Sequence, residues 1–191
     1  MRLLSFRSCV TAISLALLTG SIRTDIATQS AQPIRTDKRG AVQISYYENP
    51  PAIAVATTFY VIGSQANSTW RDFLALTASF AVRGQTICQP QFVEFSFASS
   101  TRAKGGKYQA NHQLTILTDG KLLLSTDLRA GPVSDNYRGR YLELLSFRMP
   151  FEQFKELARA KKVAITLGGT RASLKHKHLE GLLGMLQSIQ T

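Results

Sequence analysis

The sequence is poor in the residues that most often carry chemistry. Its 191 residues hold 2 cysteines, 3 histidines and 1 tryptophan, and 12 acidic side chains stand against 23 basic ones. Cys9 falls in a leader-like segment, which leaves Cys88 as the single thiol of the body of the chain. A single thiol excludes an internal disulfide framework, and such a residue is expected as a small buried hydrophobe. There is no Gly-x-Ser-x-Gly elbow, no His-Glu-x-x-His pair and no glycine-rich dinucleotide turn after a strand. Familiar hydrolase, zinc-protease and nucleotide chemistry therefore have no support in the sequence, and no catalytic residue, metal ligand or cofactor is assigned from it. No run after the first twenty-odd residues approaches the roughly 20 apolar residues that a membrane helix needs.

What the sequence does have is a leader, strands and positive charge. "MRLLSFR" places Arg2 and Arg7 ahead of the mainly apolar "SCVTAISLALLTG", the charged-then-apolar order of a secretory signal. Residues 1–21 are read as a signal peptide, which predicts an exported protein, periplasmic or extracellular. Its removal takes 2 of the 23 basic residues and none of the 12 acidic ones, lowering the formal charge from +11 to +9. Residues 22–40 are polar, lack aromatics and have no apolar period, the texture of a flexible linker. Residues 41–191 are read as one β-rich globular domain, and 44% hydrophobic content is ample for a core.

From Ala41 the runs become β-branched and aromatic. "AIAVATTFYVIG" puts Ile53, Val55, Thr57 and Phe59 on one face by the two-residue period of a strand. "FLALTASFAVRG" and "QFVEFSFAS" read the same way, with Phe92 facing opposite to Val93, Phe95 and Phe97. "HQLTILTDGKLLLSTDL" is the strongest hairpin, because Gly120 after Asp119 admits the positive φ of a tight turn. "GRYLELLSFRM" predicts a further strand. The period then changes. Pro150 is placed to open a helix that buries Phe151, Phe154, Leu157 and Ala158. "KKVAITLGG" is a short strand, and "HLEGLLGMLQSIQ" sets Leu179, Leu182, Leu183, Leu186 and Ile189 at helical spacing. The fold class is mainly β (α+β): an antiparallel β-sandwich or curved sheet with two C-terminal helical segments.

The run "MPFEQFKELARAKKVAITLGG" and the leucine-spaced helix after it resemble the closing segment of uncharacterised exported bacterial β-rich domains. The resemblance covers the chain from Met149 onward and implies an exported domain, with no activity attached.

Positive charge is densest in three places: Arg102, Lys104 and Lys107 around Gly105-Gly106; Lys161-Lys162; and Lys175 and Lys177 in "TRASLKHKH". These seven side chains are candidate anion-binding residues, with solubility as the plainer account of the charge. The 102–107 loop lacks the Gly-Lys-Ser/Thr order of a phosphate loop and fits a strand connection as well. His176 and His178 are two apart, which points them about 200° apart on a helix and away from any shared metal, so they are expected as a solvated basic helix end. Ser173 is the candidate cap of that helix. Glu94 and Glu143 are expected to point outward from their strands. Asn67-Ser68-Thr69 matches a glycosylation acceptor, and Trp70 is expected as a core anchor. Aromatics that could stack on bases would have to be Tyr108, Tyr137 or Tyr141, and no nucleic-acid-reading motif accompanies them. The expected function is a non-enzymatic binding or interaction module for anionic envelope polymers or lipid headgroups, with a protein partner as a further reading. A hydrolase whose site lacks any familiar motif is the alternative.

Overall fold

The computed structural model describes residues 32–62, 72–136 and 139–189. The expected signal peptide, the first part of the expected linker, Cys9, the Asn67-Ser68-Thr69 acceptor, Trp70 and Tyr137 lie outside the described residues. In chain order the elements are β1 (Arg35–Arg39), β2 (Val42–Tyr47), β3 (Ala52–Ile62), β4 (Phe73–Arg83), β5 (Phe92–Thr101), β6 (Gln113–Thr118), β7 (Lys121–Asp127), β8 (Arg129–Ala130), β9 (Ser134–Asn136) and β10 (Arg140–Pro150). Helix α1 (Phe151–Arg159), β11 (Val163–Leu167), β12 (Thr170–Ser173) and helix α2 (His176–Ile189) follow. No helix among the described residues is long and apolar enough to cross a membrane.

The strands form two antiparallel sheets. The larger runs β1-β2-β3-β4-β5-β10-β8, with β9 also on β10, and the smaller runs β12-β11-β6-β7. Alternation decides which side of each strand is buried. Ile53, Val55 and Thr57 of β3 and Val93, Phe95 and Phe97 of β5 turn inward, while Phe92 is 40% exposed. Phe95 lies opposite Phe147 of β10, with their rings stacked at 5.2 Å. From the smaller sheet, Leu114, Ile116, Val163, Ile165 and Leu167 enter the same core. The middle of the other face of β3 to β5 is lined by small side chains, among them Ala54, Ala75, Ser79 and Ser96, with Tyr60 and Phe73 in contact at one end.

The expected hairpin is present. Asp119 at φ 49° and Gly120 at φ 84° make the turn between β6 and β7. Helix α1 buries Phe151, Phe154, Leu157 and Ala158 as its spacing predicts. Pro150 sits one place earlier than expected, as the last residue of β10 and the cap position of α1, so the strand runs straight into the helix.

Three features differ from the sequence reading. The stretch expected as linker contains β1, which pairs residue for residue with β2. Its exposed pattern shows why no apolar period announced it: backbone pairing with β2 and the Arg35 guanidinium over the Tyr46 ring hold it, while the exposed Arg35–Asp37 pair lies within β1. Residues 170–173, "TRAS", form β12, an edge strand with polar and small side chains. Helix α2 is also rotated from the expected leucine stripe: Met185 is buried and Leu183 is 38% exposed. Gly181 and Gly184 set that rotation. A Cβ at Gly181 would lie 2.8 Å from Thr57 Oγ1, and one at Gly184 would lie 3.0 Å from Val42 Cγ2. The helix thus lays its glycine side directly on β2 and β3.

Candidate anion-binding site

The smaller sheet decides where the seven candidate cations go. β11 starts beside the end of β6, with Val163 opposite Thr118, and β12 returns antiparallel to it. The N–H of Leu174 donates to the Val163 carbonyl at 2.9 Å, which brings the entrance to α2 back to the start of β11. Lys161 and Lys162 therefore lie at the same end of the sheet as Lys175 and Lys177, and all four are exposed. The β6–β7 turn braces this end. Asp119 Oδ1 accepts the Lys162 N–H at 2.9 Å, Oδ2 accepts the Lys161 N–H at 3.3 Å, and the Asp119 N–H donates to the Lys162 carbonyl at 2.8 Å. Backbone groups satisfy the carboxylate, so it fixes the two lysines in place without pairing to their ammonium groups.

Arg102, Lys104 and Lys107 are exposed too, but on the loop that leads into β6 at Gln113. That is the other end of the sheet, a strand length of about 17 Å away at the usual rise per residue. The seven side chains do not gather into one patch: four share one end and three the other.

The 102–107 loop does cradle an anion, and the anion belongs to the chain itself. The Lys107 N–H donates to Glu143 Oε2 at 3.1 Å, and the Tyr108 N–H reaches Oε1 and Oε2 at 3.0 and 3.1 Å. Glu143 is 0% exposed and points inward, correcting the expectation of an outward carboxylate. It shares the phase of Leu145 and Met149 on β10, and backbone donors compensate its burial. Gly106 is required for this approach: at φ 89° it passes so close that a Cβ would lie 2.9 Å from Glu143 Oε1. Tyr108 is 1% exposed, so it is a core residue and no stacking platform. Tyr141 is half-buried and Glu94 is half-buried on the opposite face of its strand from Phe95.

The histidines divide. His176 is exposed and pairs with Glu180, Nε2 to Oε1 at 3.2 Å, one helical turn apart. His178 is 2% exposed and stacks on Phe59 with centroids 4.5 Å apart, correcting its reading as a solvated helix end. Its Nδ1 accepts the Lys175 N–H at 3.2 Å, so it closes the start of α2 in the place expected of Ser173. Burial lowers the His178 pKa, and repulsion from Lys177 and Lys175 lowers it further. His112 is half-buried near the start of β6.

Cys88 is exposed in the β4–β5 connection, contrary to the buried position expected of it. An open groove of about 500 Å³ separates α1 from the β6–β7 turn. Its charged lining is balanced, with Asp119, Glu152 and Glu156 against Lys121, Lys155 and Arg159, so it does not concentrate the positive charge. Among the described residues, no group of three or more His, Cys, Asp or Glu side chains gathers as a metal site would. No protein family, curated protein or solved structure matches the chain.

Proposed function

We propose that the protein is an exported, non-enzymatic binding module, periplasmic or extracellular, that holds anionic envelope material electrostatically. The observation that carries the reading is the meeting of Lys161, Lys162, Lys175 and Lys177 at one end of the smaller sheet, all exposed. The charge-then-apolar pattern of residues 1–21 supports export. A cluster of ammonium groups on flexible stems suits a polymer of repeated negative groups better than a single small anion, because each contact is weak and the contacts add. The buried carboxylate Glu143 is occupied by backbone N–H groups, which supports a binding role over hydrolysis.

The test is binding of the purified chain to dextran sulfate and to neutral dextran across a salt series. Salt-sensitive retention on the sulfated polymer alone is the expected result. Equal behaviour on both polymers would reduce the charge to a solubility feature.

A further inference from the structure

The first turn of α2 is closed by a histidine where helices with reciprocal capping use Glu or Gln. Lys175 is the cap residue and His178 stands three places on. The Lys175 N–H donates to His178 Nδ1 at 3.2 Å, and the His178 N–H donates back to the Lys175 carbonyl at 2.8 Å. A ring nitrogen accepts a hydrogen bond only without its own proton, so this contact selects the neutral imidazole protonated at Nε2. The ring lies flat on Phe59, 10° from parallel, and His178 is 2% exposed.

The charged groups around that ring offer an imidazolium no compensation. On its own helix, Lys177 and Lys175 repel it, and the Glu180 carboxylate is held by His176. β2 and β3, on which α2 packs, carry no charged side chain; their titratable groups are Tyr46, Tyr47 and Tyr60. Helix α1 brings Glu152, Lys155, Glu156 and Arg159, with Lys155 paired to Glu152, and β12 brings Arg171. A proton on Nδ1 would set donor against donor at Lys175 N–H and bury a third cation beside two lysines. Protonation at Nδ1 therefore breaks the bond that closes the first turn of α2.

We propose that His178 makes the lysine cluster a proton-coupled site: acid releases the ring from Phe59, His178 joins Lys175 and Lys177 as a third cation, and a bound polyanion holds this open form. The inference rests on the anion-binding reading above. Linkage makes the coupling reciprocal, so acid tightens polyanion binding and polyanion raises the pH at which His178 protonates.

The experiment uses the full chain with His176→Gln and Glu180→Gln, which removes the other histidine beside these lysines together with the carboxylate it holds, and dextran sulfate, whose charge is constant over the range. Binding is measured at about pH 7.5, above the ordinary imidazole value, and at a pH below the His178 midpoint that the NMR titration supplies. The His178 ring is titrated by NMR with and without the polymer. Affinity is expected to rise on the order of threefold at the lower pH, the worth of one more exposed charge contact. The His178 midpoint is expected to move up with polymer, and adding His178→Gln should leave binding at the higher pH intact while abolishing the gain. An unmoved midpoint, or a gain that survives His178→Gln, overturns the coupling; if that variant fails to fold, the midpoint alone decides. Failure to bind dextran sulfate at either pH overturns the anion-binding reading and the coupling together. Intact binding with no pH dependence overturns the coupling alone.

Discussion

The backbone N–H of Tyr108 donates to both carboxylate oxygens of Glu143, at 3.0 and 3.1 Å, and so ties the loop between the two sheets to β10. The Lys107 N–H adds a third bond to the same carboxylate. Hydrogen bonds to a buried charge are worth more than neutral ones, and their removal leaves backbone donors unmet. Glu143→Ala is expected to cost about 3 kcal/mol of folding stability and Glu143→Gln about 1.5 kcal/mol, since the amide keeps one acceptor oxygen. Gly106→Ala is expected to destabilise as well, through its positive φ and its clash with the carboxylate. Urea denaturation of the three variants checks this, and wild-type stability in Glu143→Ala would sink it.

His178 gives stability a pH dependence of known sign. Its folded-state pKa is lowered by burial, so the unfolded chain takes up the proton first as pH falls. The stabilisation is complete above about pH 6.5 and is lost as pH drops through the folded-state value. His178→Gln keeps an acceptor for the Lys175 N–H and does not titrate, so its stability curve is expected to be flatter below pH 6.5. Denaturation midpoints at several pH values in both proteins decide the matter; parallel curves would contradict the assignment.

Asp119 fills two roles at once, a left-handed turn residue and an acceptor for the N–H groups of Lys161 and Lys162. Asp119→Ala forfeits both and is expected to cost about 1–2 kcal/mol. Asp119→Asn retains the turn preference and one acceptor and should lose less than half of that. The two-variant comparison separates turn strain from lost hydrogen bonds.

The close seat of α2 on β3 depends on Gly181. In a free helix Gly→Ala is stabilising by about 1 kcal/mol. Here the added Cβ would meet Thr57 Oγ1 at 2.8 Å, and Thr57 is itself engaged as a donor to the Ala41 carbonyl. Gly181→Ala is therefore expected to lower the thermal midpoint despite better helix propensity, while Glu180→Ala on the exposed side leaves it near wild type. An increase in the midpoint of Gly181→Ala would show that the sheet yields more easily than these contacts imply.

The two ends of the smaller sheet should not contribute alike to polyanion binding. Neutralising Lys161, Lys162, Lys175 and Lys177 together with Gln is expected to weaken dextran sulfate binding on the order of tenfold, as four exposed charge contacts would. The same change at Arg102, Lys104 and Lys107 is expected to have a smaller effect. Equal losses from both sets would mean that overall charge governs binding, and that the position of the lysines does not.

Much of the core was legible because alternation and helical spacing are local. Ile53, Val55 and Thr57, the Phe92 reversal, the Asp119-Gly120 turn and the buried side of α1 all stand where the periods place them. The misses came where partners decided. β1 has no apolar face of its own and exists because β2 pairs with it. The rotation of α2 is set by two glycines against β2 and β3, which the leucine spacing does not encode. Glu143 is the instructive case: expected to alternate away from the neighbouring apolar face, it lies in phase with Leu145 and Met149 and is buried. The loop that solvates its carboxylate makes that burial possible. His178 is similar, because its burial depends on Phe59 of β3, far away in the chain.

The order of the strands bears on how the chain assembles. β1 to β5 follow one another as a meander, each hairpin closing over a short span. β10 then takes its place on the far side of β5, pairing Tyr141 with Thr101 through to Pro150 with Phe92, after β6 to β9 have intervened. Closing so long a loop costs entropy before its contacts repay it, and folding slows as such pairings dominate. Pairing of β5 with β10 is accordingly expected to form after the β1 to β5 meander. The same pairing sets Glu143 against the loop that receives it, so the contact between β10 and the connection of the two sheets is expected to arise with it.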